Sequence, residues 1–466
     1  MIEQAYRRFI IPGFESVLKR RKTFRFWKEL DQSQWWSREQ LEALQIQRLQ
    51  KLIEHCFEHS PYYRQLWNSH GLSLRVLQSL AEFGKWPVTS RQVMRDHSDR
   101  IRSTAPGVKV VSKSTGGSSG APLRFVIDRE ANDRRMGAAY RGYAWAGAAP
   151  GTRQTHLWGV TLRNPSHLRR LKEHLYSRYL FRRDMLNSFD LSDDCIPQFH
   201  ERICRFQPDV LVAYTNPLYL FARTIEQHGL SAYRPKAIVV GAEKLHDFQR
   251  ELLERVFAAP VFETYGSREF TLIGAECERH TGLHLTMENL LVEVVDEDGC
   301  PTPVGEEGDV VITDLFNVAM PFVRYATGDR AISGVESCSC GRGLPLLKKV
   351  VGRQLDVLVT ADGHRLAGEF FPHLLKDYAA IRQFQVVQLQ SDLVELKLVV
   401  DSSWRDDARE SLRREVQKSV GKATRLLINE VDTIPLTAMG KLRVVVGHTS
   451  PQQGKKECLP DREARR

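Results

Sequence analysis

Lys113-Ser114-Thr115-Gly116-Gly117-Ser118-Ser119-Gly120-Ala121-Pro122 lies between two extended runs, Val108 to Ser112 and Leu123 to Asp128. Three glycines and four hydroxyl side chains in one stretch make a loop that turns tightly. Such a loop lets the backbone approach a ligand and points N–H and O–H donors at anionic oxygens. The composition suits a polyphosphate cradle. It is not a Walker A loop, because no Gly-Lys-Ser/Thr follows at the required spacing. A Gly/Ser-rich linker has the same composition, so the flanking chain must separate the two readings.

Outward from this loop, short β-rich runs alternate with helical stretches between about 108 and 330. The strands are expected at Asp209 to Tyr214, Lys236 to Val240, Val261 to Thr264, Leu290 to Val295 and Asp309 to Thr313. Helices are expected at Asp128 to Ala146 and Asp247 to Val256. This is an α/β pattern with substantial sheet. Upstream, Leu41, Leu44, Leu49, Leu52 and Ile53 recur at near-helical spacing within 37–66, and Ser60-Pro61 closes the run.

The pattern changes after Gly352. A short strand pair (Asp356 to Thr360, His364 to Leu366) precedes a helix at Glu369 to Tyr378. A second strand pair (Phe384 to Leu389, Val394 to Asp401), a helix (Arg405 to Val420) and a strand (Leu426 to Val431) complete a small α+β domain. The expected organisation is a large N-terminal α/β domain over 1–351 with a helical segment at 1–66. A hinge at 352–356, a C-terminal domain at 357–448 and a disordered basic tail at 449–466 follow.

The 466 residues are 42% hydrophobic and 27% charged, ordinary for a globular protein. No apolar run approaches a membrane span, and Glu3, Arg7 and Arg8 make the N-terminus a poor signal peptide. The eight cysteines do not form a secreted disulfide framework. A cytoplasmic protein is expected. The net charge of +10 is concentrated in Lys19 to Lys28, Arg169 to Arg183 and the tail after Lys455. Phe14, Leu18, Phe24, Phe26 and Trp27 interleave with Lys19, Arg20, Arg21, Lys22 and Arg25. This segment reads as amphipathic packing, with peripheral contact to an anionic membrane left open. A homodimer is also left open.

Five further segments follow the loop in order. They are Gly241-Ala242-Glu243, Tyr265-Gly266-Ser267-Arg268-Glu269, Tyr325-Ala326-Thr327-Gly328-Asp329, Gly352-Arg353-Gln354-Leu355-Asp356 and Pro435 to Lys441. Together they suit attack of a carboxylate on the α-phosphate of ATP with pyrophosphate leaving. Thr115 to Gly120 would cradle the β/γ phosphates. Glu269 would ligate Mg²⁺, a hard cation that prefers oxygen. Tyr265 offers a ring to adenine, and Asp329 would accept from the ribose hydroxyls. Lys441 would place a point charge on the reacting oxygens. Singly, each segment is an ordinary turn or cap; their order across more than half the chain is what points to the chemistry.

That order resembles the superfamily of adenylate-forming acyl-CoA synthetases, peptide-synthetase adenylation domains and luciferases. Within it the chain is most similar to the phenylacetate–CoA ligase/CapK branch. The loop Thr115 to Pro122 and the Pro61-Tyr62-Tyr63-Arg64 segment carry that resemblance, which covers about residues 40 to 445. It implies an adenylate-forming fold with a mobile C-terminal lid. It implies that Ser114 to Gly120 bind phosphate and that Glu243, Tyr265, Gly266 and Ser267 line the adenine and acid pocket. Glu269 is implied for Mg²⁺, and Asp329 and Arg353 for ribose. Asp356 is implied as the hinge and Lys441 as the adenylation residue. Two positions depart from the family pattern: Leu123 stands where a Lys often follows the loop's Pro, and Leu355 replaces the first of two hinge acids. The implied substrates are ATP, a small carboxylic acid and coenzyme A, with an amine or hydroxyl as the alternative acceptor. Trp158-Gly159, Tyr214 to Pro217 and Gly241-Ala242 would line the acid pocket.

Cys338-x-Cys340 follows the Asp329 motif, and Cys277 and His284 follow Glu269. These four would hold a structural Zn²⁺ tetrahedrally, with His280 as a competitor for His284. The ordinary alternative is free loop thiols and a surface histidine. A basic, zinc-containing nucleic-acid-binding protein is the competing function class. Its basic clusters lack base-stacking modules, so nucleic acid is not expected as a partner. A degenerate, inactive nucleotide-binding protein is opposed by the retained Glu269, Asp329 and Lys441.

Overall fold

The computed structural model describes residues 2–73, 77, 79–115, 123–159, 167–188, 191, 195–334, 337–353, 357–361, 365–367, 370–375, 378, 380–435 and 443–447. Strands β1 (Val110–Ser114) and β2 (Arg124–Asp128) pair antiparallel, Val110 opposite Asp128 and Ser114 opposite Arg124. They are the two extended runs expected around the loop. Asp128 ends β2 and caps the helix Arg129–Trp145, its carboxylate accepting from the Ala131 N–H at 2.8 Å.

The main sheet has eleven strands among the described residues. Five of them are β3 (Gln154–Trp158), β4 (Arg183–Asn187), β5 (Val210–Tyr214), β6 (Ala237–Gly241) and β7 (Val261–Tyr265). These five run parallel in the order β7-β6-β5-β3-β4. Every residue of β5 and β6 is buried, which is why both read as unbroken apolar runs rather than alternating ones. The helices Ile196–Phe206, Thr215–Gln227 and Asp247–Phe257 share one apolar core with these strands.

On its other side β7 turns antiparallel. The sheet continues through β8 (Gly274–Glu276), β9 (Leu283–Leu285), β10 (Leu290–Val295), β11 (Glu307–Asp314), β12 (Tyr325–Ser333) and β13 (Leu346–Arg353), in the order β10-β11-β12-β13-β9-β8-β7. The helices Arg38–His59 and Pro61–Ser69 pack on this half. Ser60-Pro61 closes the first helix as expected, and Pro61 then opens the second, where its missing N–H costs nothing.

The helix Thr23–Ser33 buries Phe26 and Leu30 against Arg129–Trp145. Of the segment expected to pack, Phe26 is buried, Phe14, Phe24 and Trp27 are half-buried, and Leu18 is exposed. The two backbones come so close that a Cβ on Gly137 would lie 2.9 Å from the Trp27 nitrogen. Between them Arg141 is fully buried, donating to Glu288 Oε2 at 3.0 Å and to the Leu30 carbonyl at 3.0 Å. Ser33 Oγ donates to the same carboxylate at 2.7 Å, so the Glu288 charge is hydrogen-bonded from two side chains.

The chain divides into two compact units, one mainly Met1–Val294 and Thr302–Val351, the other mainly Gly352–Ile434. The second unit contains the pair β14 (Val357–Val359) and β15 (Arg365–Ala367). It also contains a four-stranded sheet of β16 (Ile381–Gln390), β17 (Leu393–Val400), β18 (Arg425–Glu430) and β19 (Val445–Val446), ordered β18-β17-β16-β19. The helix Asp406–Val420 buries Leu412, Val416 and Val420, spaced four apart, into that unit's own core. The basic tail at 449–466 lies outside the described residues.

Candidate active site

Trp158, Tyr214, Gly241 and Tyr265 are the last residues of β3, β5, β6 and β7. Ligands of open α/β sheets bind beyond the carboxyl ends of parallel strands, and four of the expected pocket residues stand there. The Trp158 and Tyr214 rings meet with centroids 4.2 Å apart. Burial, followed by the nearby Glu243 carboxylate, pushes the Tyr214 hydroxyl up to about 12.

After β6 the chain turns at once. A Cβ on Gly241 would lie 2.3 Å from Thr264 Oγ1, and Ala242 adopts a positive φ of 67°. The turn sets Glu243 on the N-terminus of the helix Thr215–Gln227. Its Oε2 accepts from the Asn216 N–H at 2.9 Å and its carbonyl from Thr215 Oγ1 at 3.1 Å.

The turn after β7 is equally tight, since a Cβ on Gly266 would lie 2.1 Å from the Thr271 carbonyl oxygen. Ser267 Oγ accepts from the Phe270 N–H at 3.2 Å, and the Thr271 N–H donates to the Ser267 carbonyl at 2.8 Å. Ser267 therefore shapes the turn that directs the buried Glu269 inward. There Glu269 Oε1 accepts from the Tyr325 hydroxyl at 3.4 Å and lies 3.8 Å from Arg91 Nη1. Burial and the Glu269 charge hold the Tyr325 hydroxyl far above its usual range.

Arg91 also donates through Nη2 to Thr115 Oγ1, at the base of the glycine-rich loop. Thr115 closes that loop on itself: its N–H donates to the Leu123 carbonyl at 3.0 Å and its Oγ1 accepts from the Leu123 N–H at 2.9 Å. Arg268 Nε reaches the Ser114 carbonyl at 3.4 Å. Burial, with Arg135 and Arg268 nearby, lowers Lys113 to about 8. Tyr265 is buried and donates its hydroxyl to Asp329 Oδ2 at 2.8 Å, while the Asp329 N–H donates to Thr327 Oγ1 at 3.1 Å.

The structure thus joins Thr115 to Glu269 through Arg91, Ser114 to Arg268, the residue before Glu269, and Tyr265 to Asp329. Glu243 belongs to the neighbouring turn. Arg353 closes β13. Gly116, Gly117, Ser118, Ser119, Gly120, Asp356 and Lys441 lie outside the described residues. Two residues of the cluster escaped the sequence reading. Tyr325 opened a quoted motif without a role. Arg91 stands 24 residues before Thr115; its one local signal is Ser90, which caps the short helix Arg91–Asp96 and sets Arg91 in its first turn.

Away from these strand ends, Cys277, His284, Cys338 and Cys340 bring their ligand atoms within 4.8 Å of one another. A tetrahedral zinc with Zn–S of about 2.3 Å holds two thiolates about 3.8 Å apart. Cys277 Sγ and Cys338 Sγ are 3.8 Å apart, and Cys340 Sγ is 3.3 Å from His284 Nε2. The donor set therefore fits zinc. His284 Nδ1 bonds the Leu344 carbonyl at 3.2 Å, which aims Nε2 at the three sulfurs. Burial lowers His284 to about 4 and so keeps it neutral, the form that ligates metal. His280 is not part of the cluster; its Nδ1 pairs with Glu276 Oε2 at 3.2 Å.

Residues 358–448 match the CapK C-terminal domain family model. The chain is 27% identical over 443 residues to a phenylacetate–coenzyme A ligase of Thermus thermophilus, spanning 88% of this chain and 97% of that protein. It is 25% identical over 431 residues to a phenylacetate–coenzyme A ligase of Escherichia coli, spanning 87% and 95%. Protein CapK of Staphylococcus aureus is 22% identical over 446 residues, spanning 92% and 94%. In fold, the chain resembles the crystal structure of 2-hydroxyisobutyryl-CoA ligase in the postadenylation state with its acyl-AMP. The TM-score is 0.67 at 19% identity, covering 87% of this chain and 89% of that one. No helix among the described residues is long and apolar enough to cross a membrane.

Proposed function

From its similarity to phenylacetate–coenzyme A ligases and Protein CapK, we propose that the chain is a member of that branch of the adenylate-forming enzymes, activating a small carboxylic acid with ATP and passing the acyl group to coenzyme A. One observation carries the reading. Thr115 at the loop base, the cation Arg91 and the buried carboxylate Glu269 form one hydrogen-bonded and ion-paired cluster, with the hydroxyl of Tyr325 on the same carboxylate.

The roles follow from that cluster. Ser114 to Gly120 would hold the β/γ phosphates through hydroxyl and N–H donors. Glu269 keeps acceptor capacity beyond the Tyr325 hydroxyl and would hold Mg²⁺, which neutralises charge on the phosphate oxygens when bound. Tyr265 presents the Asp329 carboxylate, which with Arg353 would hold ribose. Gly266 and Ser267 give the turn, and with Glu243 line the adenine and acid pocket. The Trp158–Tyr214 pair favours an aromatic or apolar acid. Lys441 would supply the charge that stabilises the attacking carboxylate and the α-phosphate oxygens.

Attack by the acid carboxylate forms the acyl-adenylate and releases pyrophosphate. Attack by the coenzyme A thiol on the acyl carbon then releases AMP. We further propose that Asp356 is the hinge between an N-terminal domain at 1–351 and a lid at 357–448, and that zinc at Cys277, His284, Cys338 and Cys340 is structural. A cytoplasmic location accords with the ATP and coenzyme A substrates.

The test is acid-dependent ATP–pyrophosphate exchange over a panel of carboxylic acids, followed by AMP release with coenzyme A. Exchange with AMP release only in the presence of coenzyme A supports the reading. No exchange with any acid would remove it. Exchange with AMP release only to an amine or hydroxyl would move the chain to the alternative acceptor.

A further inference from the structure

The helical stretch from Ile2 to Leu18 lies outside residues 40 to 445, which carry the family motifs, and outside the candidate active site. It alternates α turns (Ile2–Ala5, Ile11–Gly13) with π turns (Tyr6–Ile10, Phe14–Leu18). Mixing i→i+4 and i→i+5 turns stretches the facial repeat to about four residues. Glu3, Arg7, Ile11 and Glu15 share one face at that spacing, and it is turned to the protein. Glu3 Oε1 accepts from Thr152 Oγ1 at 3.1 Å, Ile11 and Glu15 are buried, and Glu15 accepts from the Tyr176 hydroxyl at 3.5 Å.

The opposite face is apolar and open. Phe9, Val17 and Leu18 are 73, 74 and 72% exposed, and Ile2 and Ile10 are exposed beside them. The neighbouring helical stretch, His167–Leu175 continued by Tyr176–Leu180, carries a second exposed stripe at the same spacing, Leu171, Leu175 and Tyr179. The two stretches meet where the Phe14 and Tyr176 rings lie 5.4 Å apart.

Charge selects the occupant. Glu3 and Glu15 are the only carboxylates between Ile2 and Lys28, and both face the protein. Arg8, Lys19, Arg20 and Lys28 are exposed and have no ion-pair partner among the described residues. A second copy laid on this face would set cations against cations. An apolar strip rimmed by uncompensated cations is complementary to an anionic bilayer, where apolar groups enter the acyl boundary and cations meet phosphates. We propose that this face docks on an anionic phospholipid surface, with the Ile2–Leu18 stretch lying in the headgroup plane.

The experiment is co-sedimentation of the full-length protein with vesicles of phosphatidylcholine alone, or of phosphatidylcholine with about one third phosphatidylglycerol. Binding is expected to the anionic vesicles only, weakening as salt rises. Phe9→Glu with Val17→Glu and Leu18→Glu should lower it by about tenfold or more. Arg8→Ser with Lys28→Ser, which leaves every packing side chain in place, should lower it by about tenfold as well. Acid-dependent pyrophosphate exchange should be unchanged in both variants. Absent binding to anionic vesicles overturns the proposal, as does binding undiminished in both variants. A solution dimer that the triple variant converts to monomer also overturns it, by assigning the face to a second copy.

Discussion

Arg91 shows how little sequence distance says about a residue's work. Its guanidinium reaches Thr115 at the base of the loop and Glu269 at the turn after β7, so one cation braces the two segments against each other. Arg91→Ala should raise the KM for MgATP in pyrophosphate exchange about tenfold, and Arg91→Lys should recover part of it, since a lysine restores charge without the forked geometry. An unchanged KM would remove Arg91 from nucleotide binding. Lys441 is judged by rate rather than affinity. Lys441→Ala should lower exchange by two orders of magnitude or more, about 3 kcal/mol of transition-state stabilisation, while the circular dichroism spectrum is preserved. Near-normal exchange would take Lys441 out of the adenylation step.

At the scale of elements, the antiparallel strands β8 and β9 and the segment before β13 converge on the Cys/His cluster. His284 lies opposite Ala275 on one side and Leu346 on the other. A metal there would tie these three segments together beyond the short ladder and the His284–Leu344 hydrogen bond. The purified protein should carry about one zinc per chain, and Cys338→Ser with Cys340→Ser should release it and lower Tm by several degrees. A well-folded, metal-free preparation would refute the site. A second element-scale consequence concerns β7. Burial, followed by repulsion from Glu276, raises the Glu263 carboxyl to about 7. In the unfolded chain it titrates near 4.5. Between these values the folded state binds more protons, so this group's contribution makes stability fall as pH rises from about 4.5 to about 7. Glu263→Gln should therefore stabilise the protein by about 3 kcal/mol at pH 8 and have little effect at pH 4. Denaturant melts at the two pH values measure it; an equal effect at both would assign the change to packing.

At the scale of the whole molecule, the small unit has its own sheet and its own apolar core, as a separately moving lid requires. The hinge proposal is tested by separating the half-reactions. A proline at position 356 fixes φ and would hold one lid orientation. Asp356→Pro should keep acyl-adenylate formation and lose most acyl transfer, read as near-normal exchange with about tenfold or greater loss of turnover. Equal loss of both would place the hinge elsewhere; full turnover would mean that no rotation about this residue is needed.

The strands β3, β4 and β19 and the helices Ile196–Phe206 and Thr215–Gln227 came only from the structure. The sequence by itself determined β5, β6 and β7, the helices that start near Asp128 and Asp247, and the second unit's strand–helix order as far as β18. These were legible because a strand buried on both faces is an apolar run whatever its neighbours, as in Val210–Tyr214, and because caps such as Asp128 act within one turn of chain. The motif chemistry was legible for a related reason: glycines, carboxylates and hydroxyls at fixed spacing state what they can bind before their partners are known. Only the tertiary structure decided which distant groups meet. It paired Tyr265 with Asp329, brought Arg91 to Glu269, and chose His284 over His280 by setting the first among the thiols and the second on Glu276. It also revealed that the amino-terminal stretch is a helix of mixed repeat with an uncovered apolar face, because a four-residue period matches neither the α-helical nor the strand template. Each of these depends on long-range packing, which no local window of residues contains.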